Sequence, residues 1–192
     1  MTKSEGLFFI HYMDKKIIAL TGAKTVGKTT IAKSLNKWDA INSEIMSFAS
    51  PIKDMLIAMG VPEDAIYGNK KQTTIKELGF SGRELMQSLG TEWGRDMISQ
   101  DIWVLALHKK ILASDSETII IDDCRFKNEA EWVINQGGII IKLIRDGIDF
   151  DKLHPSEIPL DSSYINCSID ISCPVIGVET LKHLCKAEQI AI

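Results

Sequence analysis

The chain has 192 residues, 45% hydrophobic and 25% charged, with a formal net charge of −4. That length and balance fit one globular domain with a sizeable core and leave little room for two. The acidic balance, with no block of clustered Lys and Arg, excludes a general binder of nucleic-acid backbone, whereas a small anionic ligand needs only one local pocket.

Taken in order, residues 1–14 show no clear period and are assigned to no element; their apolar Leu7-Phe8-Phe9-Ile10 is cut short by His11 and Asp14. No run approaches a signal-peptide core or a membrane span, so a cytoplasmic protein without a membrane partner is expected. Lys16 to Thr21 reads as a buried parallel strand, apolar and β-branched. It feeds Gly22-Ala23-Lys24-Thr25-Val26-Gly27-Lys28-Thr29, which fits the phosphate-binding pattern G-x-x-x-x-G-K-[ST]. Its glycines free the backbone to wrap an anion, so that N–H groups and the positive end of the next helix, Lys28 to Trp38, face phosphate oxygens. Lys28 adds a full charge, Thr29 offers Mg²⁺ a hard oxygen one residue into the helix, and Thr30 completes the nucleotide-binding stretch.

Glu44 to Ala49 is a second strand candidate, and Ser50-Pro51 starts a helix through Met59 with Ser at the cap. Gly60 to Ser81 reads as an insertion with a weak helical stretch near Thr73 to Leu78. Gly82 to Met97 is a stronger helix, with Leu85, Met86, Leu89 and Trp93 on one face and Gly90 weakening its middle. Asp101 caps a helix to Leu112 with Ile102, Leu105 and Leu112 inward. Thr118 to Ile121 is a strand ending at Asp122-Asp123; Asn128 to Gln136 is a helix stopped by Gly137-Gly138; Ile139 to Ile144 is the next strand. Asp146 to Ser163, with Pro155 and Pro159, is a long loop whose natural role is a lid. Cys167 to Ser172 and Val178 to Ala187 give a last strand and a closing helix. The alternation predicts a three-layer α/β P-loop fold, a five-stranded parallel sheet flanked by helices. Cys124, Cys167, Cys173 and Cys185 contain no C-x-x-C pair and read as reduced, mostly buried thiols.

An acid at a strand end beside a phosphate loop organises Mg²⁺ or accepts a proton; Asp122 and Asp123 both qualify, and so would simple strand-end caps. Arginines are scarce: Arg83, Arg95, Arg125 and Arg145 are the four in the chain. Arg125 and Arg145 lie at carboxyl ends of strands, the edge where open α/β sheets bind ligands, and guanidinium forks suit phosphates; any of the four would also serve as a surface ion pair. Trp93 suits either a base stack or the core. His154 and Glu157 form a polar cluster in the proline loop with no metal-like helical spacing.

Arg83 to Arg95 as a block (RELMQSLGTEWGR), Asp123-Cys124-Arg125-Phe126-Lys127-Asn128-Glu129-Ala130, Gly137-Gly138 before a strand ending in Arg145, and His154-x-Ser156-Glu157 resemble the deoxynucleoside monophosphate kinases of tailed bacteriophages. The likeness runs through nearly the whole chain, in motif order. It implies a kinase of nucleoside-monophosphate-kinase type that transfers the γ-phosphate of ATP to a deoxynucleoside 5′-monophosphate with Mg²⁺, and a homodimer of unlocated interface. Carried over, Gly22 to Thr29 hold ATP and Asp123 is the family's strand-end acid, beside the extra acid Asp122. Lys53, in Ala49-Ser50-Pro51-Ile52-Lys53, lines the monophosphate site, and the helical region over about 60–100 is implied to be its monophosphate-binding part. Arg83, Arg95 and Arg125 contact phosphates, and Arg145 serves from the lid side. The lid itself has no arginine, only Lys152, so Arg145 and the core arginines must neutralise the transferring group. The rival readings are another small-molecule kinase on this scaffold, acting on a ribonucleotide, dephospho-coenzyme A or phosphomevalonate, or an ATP-gated binding module.

Overall fold

A computed structural model of the chain describes residues 13–38, 41–68, 70–148 and 158–187. Most of residues 1–14, and residues 149–157 of the proline loop with His154, Ser156 and Glu157, lie outside them.

The sheet is built from β1 (Lys16–Thr21), β2 (Ser43–Met46), β5 (Thr118–Ile121), β6 (Ile139–Ile144) and β7 (Cys167–Asp170), in the order β2-β5-β1-β6-β7 and parallel throughout. Ile18 stands opposite Ile120 on one side and Ile139 on the other, so β1 occupies the centre. Its side chains alternate between two buried layers. Ile17 and Ala19 join Ile119, Ile121 and Ile140 in one; Ile18 and Leu20 join Ile120, Ile141 and Leu143 in the other. Burial on both faces explains why these strands read as continuous apolar runs.

Over the second layer pack α1 (Lys28–Asn36) and α7 (Pro174–Ala187), through Ile31, Leu35 and Leu181. Over the first pack α2 (Ser50–Ala58), α3 (Glu63–Ile66), α5 (Ile102–Leu112) and α6 (Lys127–Asn135), through Ile52, Ile66, Leu107 and Val133. The predicted sheet and its flanking helices are therefore present, with most helix and strand limits shifted by a residue or two. The second strand ends three residues earlier than expected, at Met46, and α7 starts four residues earlier, at Pro174.

The larger departures lie between α2 and α5. Thr73 to Leu78 is no helix: β3 (Thr74–Ile75) pairs antiparallel with β4 (Phe80–Ser81). The β-branched Thr74 and Ile75 favour strand, and Gly79, with φ of 74°, supplies the left-handed residue the turn requires. The long helix expected over Gly82 to Met97 is α4 (Gly82–Gln87) followed by a wider π-helical segment, Ser88–Ile98. The cause is Trp103 on α5. Its indole Nε1 donates to the Gly90 carbonyl at 2.7 Å, and a Cβ on Gly94 would lie 2.4 Å from its ring. An indole wedged against the backbone forces the ladder to skip a residue, as in Ser99 N–H to Gly94 O at 2.9 Å. Trp103 also corrects the expected face of α5: Trp103, Val104, Leu107 and Ile111 are buried, while Leu112 is 53% exposed. Finally, Cys124 is buried, Cys167 half-buried and Cys173 exposed, so the expected burial fails at Cys173.

Candidate active site

The phosphate loop leaves the central strand where Gly22 passes over β6. A Cβ there would sit 2.6 Å from the Leu143 carbonyl, and Gly22 has φ of 141°, so glycine alone is accommodated. Thr25 also holds a left-handed backbone, φ 63°, which a β-branched residue adopts only under constraint. Lys28 is buried, its ammonium donating to the Gly22 and Ala23 carbonyls at 2.7 and 2.8 Å. The loop's charge is thus folded onto its own backbone, at the N-terminus of α1.

A cavity of about 590 Å³ opens beside this loop. From the predicted set it gathers Lys24, Thr25, Gly27, Lys28, Thr29, Thr30, Lys53, Arg83, Arg95, Asp122, Asp123 and Arg125. Ala23 and Val26 are buried beneath the loop. Outside the phosphate loop, two predicted residues stand apart from the cavity lining. Trp93 is 38% exposed on the π-helical segment, with its ring 6.4 Å from that of Trp103, and Arg145 is exposed beyond the end of β6. Trp103, not Trp93, is the tryptophan that reaches the cavity.

The two adjacent carboxylates divide their work. Asp122 Oδ2 accepts the Thr29 hydroxyl at 2.7 Å, linking the end of β5 to the phosphate loop. Asp123 turns the other way and accepts the Phe48 and Ala49 backbone N–H groups at 2.8 and 3.0 Å, fixing the turn that carries α2 and Lys53. Burial pushes the Asp123 carboxyl up, and neighbouring Asp122 adds to the effect. The sequence leaves open which of the two acids serves the metal; in the fold the Asp123 oxygens hold backbone, and Asp122 shares a hydrogen bond with Thr29.

Arg95, expected on a substrate phosphate, is likewise committed to protein. One terminal nitrogen donates to Glu129 at 2.6 Å and the other to the Gln100 carbonyl at 3.1 Å, and the guanidinium lies 3.8 Å from the centre of the Phe126 ring. Glu129 in turn accepts the Arg125 and Phe126 backbone N–H groups at 2.8 and 3.0 Å. Burial raises the Glu129 carboxyl to about 7, with Arg95 pulling in the opposite direction. The pair therefore ties the π-helical segment to the turn that presents Arg125. With phenylalanine at the N-cap there is no Ser/Thr-x-x-Glu pattern to announce Glu129, although its carboxylate does accept the N-cap N–H.

Lys71 also lines the cavity, a residue the sequence analysis passed over. Burial lowers the affinity of its ammonium for the proton, and the nearby charges of Lys53, Arg83 and Arg125 lower it further, against a pull from Asp122. The cavity thus has a phosphate loop on one side and a group of cations from four separate elements on the other.

A model of the family described as deoxynucleotide monophosphate kinase matches residues 60–169. A protein of Acanthamoeba polyphaga mimivirus, provisionally named a deoxynucleotide monophosphate kinase, is 33% identical over 163 residues, 76% of this chain and 82% of that protein. The deoxynucleoside-5′-monophosphate kinase of Escherichia phage T5 is 28% identical over 111 residues, 54% of this chain and 44% of that one. Among solved structures, a Thermus thermophilus protein superposes with a TM-score of 0.55 at 10% identity, over 91% of this chain and 97% of its own. Shikimate kinase from Aquifex aeolicus superposes at 0.52 and 13% identity, over 92% and 99%. At such identities the likeness speaks for the fold alone.

Proposed function

The chain belongs to the deoxynucleotide monophosphate kinase family, and we propose that, in phosphorylating deoxynucleoside monophosphates, it takes the phosphoryl group from ATP with Mg²⁺ bound between Thr29 and Asp122. The observation that carries this reading is the shared cavity: loop residues Lys24 to Thr30 and the cations Lys53, Arg83 and Arg125 line the same space. A single polyphosphate needs the loop; the second group of cations calls for a second phosphate.

The donor set suits Mg²⁺, which favours hard oxygens and takes few protein ligands, filling its shell with water and phosphate. Here one hydroxyl and one carboxylate lie 2.7 Å apart at the cavity wall. When bound, the ion would supply charge neutralisation to the polyphosphate. The chain's own residues do the rest. Loop amides and Lys28 hold the donor's β- and γ-phosphates. Lys53, Arg83 and Arg125 hold the acceptor phosphate and spread the repulsion between two anions. Asp123 and the Arg95–Glu129 pair set the positions of Lys53 and Arg125 through the backbone. No covalent intermediate is required, because aligned reactants need only orientation and charge stabilisation. No catalytic part is assigned to Arg145 or Trp93.

The test is ADP release from ATP, coupled to a reporter, with each of the four common deoxynucleoside 5′-monophosphates and matching ribonucleotide controls. Acceptor-dependent release with at least one deoxynucleotide is expected. Slow ATP turnover that ignores every acceptor would refute the reading in favour of an ATP-gated module.

A further inference from the structure

A kinase that joins two anions must place positive charge where their phosphates meet. The loop expected to act as a lid lacks arginine, and Arg95 is taken by Glu129. A cation is therefore missing from the list drawn from motifs. We propose that Lys71 supplies it, its ammonium binding the phosphate of the deoxynucleoside monophosphate between Arg83 and Arg125. The inference rests on the functional reading above and adds a substrate-contacting residue to it.

Lys71 is held as a presenting residue would be. It sits in the turn before β3, and its backbone carbonyl accepts the Arg83 N–H at 2.8 Å, so the two cations are fixed to each other through the main chain. Arg83 is in the first turn of α4, whose start is locked by Ser81 and Glu84 in a reciprocal cap. That start is also pressed against α3, where a Cβ on Gly82 would lie 2.0 Å from the Ala65 carbonyl. The base of the hairpin is thereby rigid relative to the cavity.

The surroundings of the ammonium point to an anion. Lys71 is half-buried and lines the cavity, where the like charges of Lys53, Arg83 and Arg125 act on it. Among the described residues its ammonium has no hydrogen-bond or ion-pair partner, and Asp122, already bonded to Thr29, is the carboxylate that acts on it. Neighbouring Lys70 makes the opposite choice, an exposed ion pair with Asp64 at 2.7 Å. Three cations converge on one half-buried ammonium, a setting that favours an anion, and a phosphate monoester supplies two negative charges in the required volume.

The test compares wild type with Lys71→Met and Lys71→Arg. Steady-state ADP release is measured with the accepted deoxynucleoside monophosphate varied at saturating ATP, then with ATP varied at saturating acceptor. Inhibition by the corresponding bare deoxynucleoside is measured alongside. For Lys71→Met we expect kcat/KM for the monophosphate to fall about 100-fold, the effect of one positioned charge. The KM for ATP should stay within about threefold, and the inhibition constant of the bare deoxynucleoside should not move, because that compound lacks the group Lys71 reads. Lys71→Arg should recover part of the loss. A Lys71→Met enzyme with wild-type kcat/KM, or one weakened equally toward monophosphate and bare deoxynucleoside, overturns the assignment. If wild type itself releases no ADP with any deoxynucleotide, the parent reading fails instead, so the two failures are told apart.

Discussion

Arg95→Met removes the counter-charge from a buried glutamate, and the consequence depends on pH in a calculable way. Glu129 has a folded-state pKa of about 7 against an ordinary 4.5. The folded protein therefore holds this proton more tightly than the unfolded chain between those values. Wild-type stability loses this contribution as pH rises from about 4.5 to about 7, and is flat in it above. Arg95 is what holds the value down, so its removal moves the folded pKa higher and extends the decline. Each pH unit above 7 then adds about 1.4 kcal/mol of destabilisation until the new value is reached. Two units give about 3 kcal/mol. To this is added a pH-independent loss of about 1–2 kcal/mol for the Gln100 hydrogen bond and the Phe126 ring contact. The variant should thus be less stable than wild type by about 1–2 kcal/mol at pH 6 and by about 4 kcal/mol at pH 9, within the range for breaking a buried pair. Urea unfolding at both pH values measures it; with a slope of about 2.5 kcal/mol/M the midpoint gap should widen by about 1 M between them. A gap that is the same at pH 6 and pH 9 would refute the claim that Arg95 neutralises a buried Glu129.

Lys28→Ala and Arg125→Ala should each lower turnover about 100-fold or more without unfolding the chain, as loss of one positioned charge does; near-wild-type ADP release by either would remove its assigned role. Asp122→Asn and Asp123→Asn should separate cleanly. The first should raise the Mg²⁺ concentration needed for half-maximal ADP release while leaving thermal stability alone. The second should lower stability by about 1–3 kcal/mol, because the Phe48 and Ala49 N–H groups lose a carboxylate acceptor. Scanning calorimetry and Mg²⁺ titration of both variants decide it, and identical behaviour would undo the division of labour. Gly94→Ala should destabilise by about 1–3 kcal/mol, because the added methyl meets the Trp103 ring at 2.4 Å; an unchanged melting temperature would contradict the wedge.

The sheet was legible because its strands are short β-branched runs buried on both faces, and because the phosphate loop marks which strand is central. The hairpin at Thr74 to Ser81 was not, since a turn built on Gly79 leaves only two residues on each side to show a period. The π-helical segment depends on Trp103, nine residues beyond Gly94, and no pattern local to residues 88–98 carries that information. For the site, residue type was the limit. Four arginines look alike in sequence, yet Arg95 finds its partner 34 residues away, and only packing separates it from Arg83 and Arg125. The same holds for Asp122 and Asp123, adjacent in sequence and opposed in direction. Lys71 was one lysine among many until the fold set three cations around it.

The sheet divides the interior into two oily compartments that share no side chains, and the machinery for each reactant is moored to a different one. Val26 and Ile31 of the phosphate loop and its helix, on the proposed reading the donor's side, belong to the compartment beneath α1 and α7. Ile52, Met86 and Trp103, which also line the cavity, belong to the other. On the proposed assignment, repacking one half of the molecule should therefore remodel the acceptor's end of the cavity while the half that carries the phosphate loop is left undisturbed.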